Sequence, residues 1–201
     1  MSPTKKHAPS QQESVRALLK THQAEDEHSE QVARLALVLF DQLKDLHRLG
    51  ERWRNLLYLG ALLHDIGLSE SISRHHKHGC EIIANAPLDG FSEAEKWILA
   101  NLARYHRKAL PKASHECFSK LCAEDQEGVQ KTAALLRVAD GLDRSHRNAV
   151  SSIECQIQTG AVLASLEGRD LDDEVWAAEK KRDLFEEVYG MRLIFSRKES
   201  S

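Results

Sequence analysis

Leu62-Leu63-His64-Asp65-Ile66-Gly67 decides the reading of this chain, with an imidazole and a carboxylate side by side behind an apolar run. Neighbouring residues on a helix point about 100° apart, so such a pair faces one partner together only where the helix ends. Gly67 reads as the natural stop. If His64 and Asp65 converge on one cation, the other ligands must arrive from distant parts of the chain. The sequence offers His28 upstream and His75, His76, His78, His106 and Asp140 downstream. An isolated His-Asp dipeptide is usually a solvated pair at a helix end, so the metal reading has to be carried by the rest of the chain.

Apolar spacing places those residues. Val32, Leu35, Leu39, Leu43 and Leu46 recur at three and four, which predicts a helix over about 26–47 with His28 on its buried face. Further helices are expected over about 13–22 and 51–65, through Glu81-Ile82-Ile83, over about 92–106 and over about 125–148. Ser92 with Glu95 three residues on reads as a capping box. Asp140 sits in the apolar run Leu135–Leu142, where a carboxylate is costly without a cation beside it. Asp143, Arg144 and Arg147 are expected on the next turns of nearly the same face. Arg104, His106, Arg107 and Lys108 cluster at a helix C-terminus, where they either complement the helix dipole or bind phosphate. Past Val150 the period falls to two. Ile153, Cys155 and Ile157, a Thr159-Gly160 turn, then Val162, Ala164 and Leu166 predict a hairpin. A helix over about 172–189 and a strand at 191–195 complete the pattern.

The fold class expected is therefore mainly α, a helical domain over 13–150 followed by a small ββαβ unit within 151–201, with 1–12 as a disordered tail. The C-terminal unit either caps the bundle or supplies a homodimer contact. A length of 201 residues suits one sizeable core. A formal net charge of −3 gives no general pull toward nucleic acid or anionic membrane, so anion binding must come from local clusters. The 4 cysteines contain no C-x-x-C pair, no apolar run is long enough to span a bilayer, and the polar N-terminus has no signal-peptide core. A cytoplasmic location is the expectation. The 11 histidines outnumber the 10 glycines, and histidine is the commonest metal ligand.

The order His28, His64-Asp65 and Asp140 on successive helices resembles the HD superfamily of metal-dependent phosphohydrolases. Longer stretches are similar to the C-terminal region of the exopolyphosphatase/guanosine pentaphosphate phosphatase family. They are His75-His76-Lys77-His78, Ala103–Lys108, Leu135–His146, and Trp176–Glu179 with Leu184-Phe185-Glu186. The resemblance covers about residues 25–196. It implies an HD helical bundle whose metal ligands are His28, His64, Asp65 and Asp140, with Asp65 able to bridge two ions. The third superfamily histidine is ambiguous among His75, His76 and His78. His76 is taken as the match, so that His64, Asp65, His76 and His106 form the expected catalytic group. Lys77, Arg104, Arg107 and Arg144 are the expected phosphate ligands. The cofactor implied is a divalent ion of undetermined identity (Mn, Mg, Co, Ni, Fe or Zn), since imidazole–carboxylate sites accept several of them.

The full-length family carries actin-like ATPase domains ahead of this region, and the 201 residues contain neither those domains nor a Gly-rich phosphate loop. Polyphosphatase activity is therefore not carried over. No acidic pair follows His64-Asp65 in the manner of HD hydrolases of guanosine tetraphosphate. Two functions stay open: a metal-dependent phosphohydrolase acting on a nucleotide or polyphosphate-like substrate, and a non-catalytic module that binds such anions or a partner protein.

Overall fold

The computed structural model describes residues 10–198. The expected tail lies outside these residues as far as residue 9, and Ser10 already belongs to a helix terminus. The Glu13 N–H donates to Ser10 Oγ (3.2 Å) and the Ser10 N–H donates to Glu13 Oε2 (2.7 Å). This reciprocal cap starts α1 (Gln11–Thr21), two residues earlier than apolar spacing alone suggests. Asp26 caps α2 (Glu27–Gln42) by accepting the Ser29 N–H at 2.6 Å. The helix expected to reach residue 47 is interrupted at Leu43 and resumes as α3 (Lys44–His47).

Then come α4 (Glu51–Leu63), a 3-10 turn at Ile66–Ser69 and α5 (His75–Asn85). Next is α6 (Glu93–Tyr105), opened by the Ser92–Glu95 capping box. A short α7 (Glu116–Ser119) precedes α8 (Ala123–Gly141). Helices α2, α4, α6 and α8 close a ring in which each touches the next and α8 returns to α2. Their apolar stripes meet inside it through Leu35, Leu39, Leu57, Leu99, Leu102, Leu135 and Val138, all buried. Each such side chain contributes roughly 1.5–3 kcal/mol by leaving water.

Helix α8 ends at Gly141, well short of the expected Asn148. A Cβ there would stand 2.7 Å from the Ala178 Cα, so the glycine lets a later helix lie directly on the end of α8. Residues 142–149 become an irregular turn in which His146 and Asn148 take positive φ. Asp143, Arg144 and Arg147 are thus on that turn rather than on a helix face.

The predicted hairpin forms. In it β1 (Val150–Gln158) and β2 (Ala161–Gly168) run antiparallel, with Gln158 opposite Ala161. Gly160 at φ 73° supplies the left-handed residue that so short a turn demands. The single helix expected next is split at Arg182 into α9 (Asp172–Lys181) and α10 (Asp183–Tyr189). The crossover returns β3 (Arg192–Arg197) parallel to β2, giving the order β1-β2-β3. Val162, Ala164, Leu166 and Leu193 bury one sheet face in a core continuous with that of the bundle. Both α9 and α10 pack on α8, while the Gln42 side chain of α2 bonds across to Ile153 and Cys155 of β1. The fold is mainly α with a small C-terminal sheet. No helix among the described residues is long and apolar enough to cross a membrane.

Candidate metal centre

Helix α4 stops at the dipeptide itself. His64 keeps helical angles as the cap residue, whereas Asp65 turns to φ −104°, ψ 8°. The two side chains therefore converge, with His64 Nε2 at 3.5 Å from Asp65 Oδ2. Gly67 is not a left-handed stop, because its φ is not positive and it lies within the 3-10 turn. A Cβ there would meet the His75 carbonyl oxygen at 2.1 Å and the Gly79 nitrogen at 2.5 Å. The glycine thus lets the turn after Asp65 nest against the first turns of α5. Gly67→Ala is expected to force those backbones apart and lower stability by about 1–3 kcal/mol, the usual cost of overpacking. Thermal unfolding checks this, and an unchanged midpoint would refute the close approach.

Four histidines from four elements share one arrangement. The Nδ1–H of His64 donates to the Ala61 carbonyl (2.6 Å), that of His75 to Ile72 (2.8 Å) and that of His106 to Ala103 (2.7 Å). Nδ1 of His28 is 2.8 Å from Asp143 Oδ2. A carbonyl only accepts, so in the first three rings Nδ1 carries the proton and Nε2 presents a lone pair. Those lone pairs gather around Asp65. Its Oδ1 lies 3.2 Å from His75 Nε2 and 3.4 Å from His106 Nε2, and the two nitrogens are 3.1 Å apart. His64 Nε2 is buried without a hydrogen-bond partner.

Acceptors packed against acceptors are relieved by a proton or a metal cation among them, and anchoring each imidazole through its other nitrogen is how metal-ligating histidines are held. The residues fit a divalent ion. They form two trios, His28–His64–Asp65 and Asp65–His75–His106, each with one donor atom per residue within 4.8 Å of the others. Asp65 belongs to both.

Asp140 adds a second carboxylate, with Oδ1 at 3.7 Å from His28 Nε2 and Oδ2 ion-paired with Lys181. Burial opposes its charge, but Lys181 and His28 hold it well below the usual carboxylate range. Burial likewise opposes a proton on His28, yet Asp140 and Asp143 outweigh it and raise this imidazole to about 9. Burial, and then the adjacent His64, pushes His106 down to about 3, so that ring stays neutral.

Three of the expected residues lie apart from this group. His75, not His76, faces Asp65. The two are successive residues at the start of α5, and His76 is carried about 100° away into a buried position where Nδ1 has no partner. Of the expected phosphate ligands, Arg107 and Arg144 line the cavity of about 510 Å³ beside Asp65, His75, His106 and Asp140. Lys77 and Arg104 line a different cavity. Lys77 is two residues past His75 on α5, which turns it to the far side. Arg104 and Arg107 part because α6 ends between them, at Tyr105.

Several residues were missed. Lys180 and Lys181 join Lys108, already part of the expected basic cluster, in adding positive charge to the same cavity, and Arg137 closes its wall. His146 stacks on His28 with ring centroids 3.8 Å apart. Asp143 both holds His28 and accepts the Asn148 N–H at 3.0 Å. The Lys180-Lys181 pair at a helix end was the available signal, but Lys181 is 41 residues from Asp140 and no local pattern joins them.

The model of a family described as Ppx/GppA phosphatase, domain III, matches residues 11–178. A guanosine-5'-triphosphate,3'-diphosphate pyrophosphatase of Aeromonas salmonicida (strain A449) is 37% identical over 87 residues, 43% of this chain and 18% of that protein. One from Vibrio vulnificus (strain YJ016) is 32% identical over 90 residues, 44% of this chain and 18% of its own. One from Pseudoalteromonas atlantica (strain T6c / ATCC BAA-1087) is 29% identical over 116 residues, 57% and 22% respectively. The chain thus spans about a fifth of the length of these curated relatives.

Proposed function

The chain belongs to the Ppx/GppA phosphatase domain III family, and from that premise we propose that it is a metal-dependent phosphohydrolase of the HD type. Its substrate is a phosphate ester or phosphoanhydride in a nucleotide or polyphosphate-like molecule. One observation carries the reading. Imidazole nitrogens with their opposite ring positions tied off surround a carboxylate that has two free oxygens, at the floor of a basic cavity. His28, His64, Asp65 and Asp140 would hold a divalent ion, and Asp65 with His75 and His106 a second. A bound divalent ion supplies two things here, a lowered pKa for the water it carries and polarisation of a phosphoryl oxygen.

The side chains of this molecule do the rest. Phosphoryl transfer is mostly positioning plus charge stabilisation, and Arg107 and Arg144 can each donate two N–H groups to phosphate oxygens. Lys108 and Lys180 extend the positive rim for a further phosphate. Asp143 orients His28, and Ala61, Ile72 and Ala103 orient the other three rings through their carbonyls.

The test is phosphate release from phosphomonoesters, nucleotides and polyphosphate with added Mn²⁺, Mg²⁺, Co²⁺ or Ni²⁺. Release that requires a metal and stops with chelator is expected. Polyphosphate binding without release under any metal would instead favour the non-catalytic module, a reading that the cavity's excess of basic over acidic lining also suits. Arg144→Ala should weaken substrate binding roughly tenfold, the loss of one charge-assisted hydrogen bond worth about 1.5 kcal/mol. A KM unchanged in this variant would remove Arg144 from the phosphate site.

A further inference from the structure

A second cavity, of about 500 Å³, shares no lining residue with the first. Two of the four cysteines line it together, Cys80 of α5 and Cys117 of α7, near enough for each thiol to perturb the other's ionisation. Cys80 is buried and Cys117 is partly open to solvent. Helix α6 builds the wall beside them. Asn101 Nδ2 donates to the Cys117 carbonyl at 2.9 Å, which fixes the start of α7. Arg104, one turn on, lines the same cavity. Its Nη1 is buried without a hydrogen-bond partner, and no carboxylate among the described residues is within ion-pair distance of it. The charge of this guanidinium is thus left without a neutralising carboxylate in the cavity that the two sulfurs line.

The neighbouring Cys80 thiol lowers the Cys117 thiol below its ordinary value; burial opposes this, and the Arg104 charge reinforces it. Cys117 in turn, with burial, raises Cys80. Cys155 offers a contrast, since burial pushes it up to about 12 with no second thiol beside it. Cys122 is exposed and also stands apart. An electropositive, partly open thiol next to a second one is the environment in which reactive cysteines occur.

We infer that Cys80 and Cys117 are a hydroperoxide-oxidisable dithiol, in which Cys117 attacks and Cys80 resolves. The Cys117 thiolate attacks one peroxide oxygen, the O–O bond breaks, and hydroxide leaves to give the sulfenic acid. The Cys80 sulfur then attacks the Cys117 sulfur. The S–O bond breaks, the hydroxyl departs with the Cys80 proton as water, and the disulfide closes. Two electrons pass from the thiol pair to the peroxide. The bond would join α5, which presents His75, to the segment that follows the Arg107–Lys108 rim.

The experiment treats the whole chain with hydrogen peroxide, caps the remaining thiols with N-ethylmaleimide and maps peptides without reduction. Loss of two of the 4 thiols is expected, with a mass lower by about 2 Da and a Cys80–Cys117 linked peptide that dithiothreitol reverses. Cys80→Ser should leave Cys117 as a sulfenic acid trapped by dimedone, and Cys117→Ser should lose no thiol at the same dose. All four cysteines remaining alkylatable, or a link or first oxidation at Cys122 or Cys155, would overturn the inference. The linked peptide is read on the wild-type chain, so the result does not depend on either variant folding.

Discussion

Replacing Asp65 by asparagine is expected to reduce metal-dependent phosphate release by on the order of 10³-fold or more, since a metal's charge stabilisation is worth several kcal/mol. Asp65 is the residue common to both trios and supplies a different oxygen to each side. An amide keeps the shape but presents one neutral acceptor and two N–H donors, so it cannot serve both sides at once. The donors would also point at imidazole nitrogens that now face a carboxylate. The side chain is partly exposed at the cavity floor rather than in the apolar core, so the variant should keep its helical circular dichroism. A folded Asp65→Asn protein with wild-type rates would place the chemistry elsewhere.

The second large effect is on stability. Arg137 is 2% exposed about one turn before the end of α8 and spends all three guanidinium nitrogens. Nε donates to the Tyr105 carbonyl (2.8 Å), Nη1 to Asp183 Oδ1 (2.8 Å), and Nη2 to the carbonyls of Lys108 (2.8 Å) and Ala109 (2.9 Å). This one side chain ties the segment carrying His106 and Arg107 to both α8 and α10. Arg137→Met leaves those acceptors without donors. Asp183 is largely exposed and its loss costs little. The carbonyls are the larger part, giving about 2–4 kcal/mol in all. At roughly 2–4 °C per kcal/mol for a chain of this size, the midpoint should fall by about 5–15 °C. Arg137→Lys should recover only part of it, because an ammonium cannot reproduce the planar fork. Equal melting of all three proteins would show that the segment is held by other contacts.

Local signals were legible where the physics is local. The Ser92–Glu95 cap, the Thr159-Gly160 turn and the change of period at Val150 each name their structure within a few residues. His28, His64, Asp65 and Asp140 could be gathered because each stands out against an apolar stripe; His28, His64 and Asp65 form one trio, with Asp140 Oδ1 3.7 Å from His28 Nε2. What was not legible depends on phase or on distant contacts. Whether His75 or His76 faces inward turns on where α5 begins, and Arg74 provides no side-chain cap to mark it. The stop at Gly141 follows from Ala178 lying on it, and the role of Gly67 from the nearness of α5. Neither neighbour is visible in the flanking sequence. Lys181 reaches Asp140 only because α9 packs across α8.

The central claim is that the histidines around Asp65 hold divalent metal. Its most direct test is the metal content of the chain after loading with Mn²⁺ and gel filtration, measured by inductively coupled plasma mass spectrometry. His64→Ala and Asp65→Asn are measured beside the wild type. At least one ion per wild-type chain and almost none in either variant is the predicted result. Equal, negligible content in all three would contradict it.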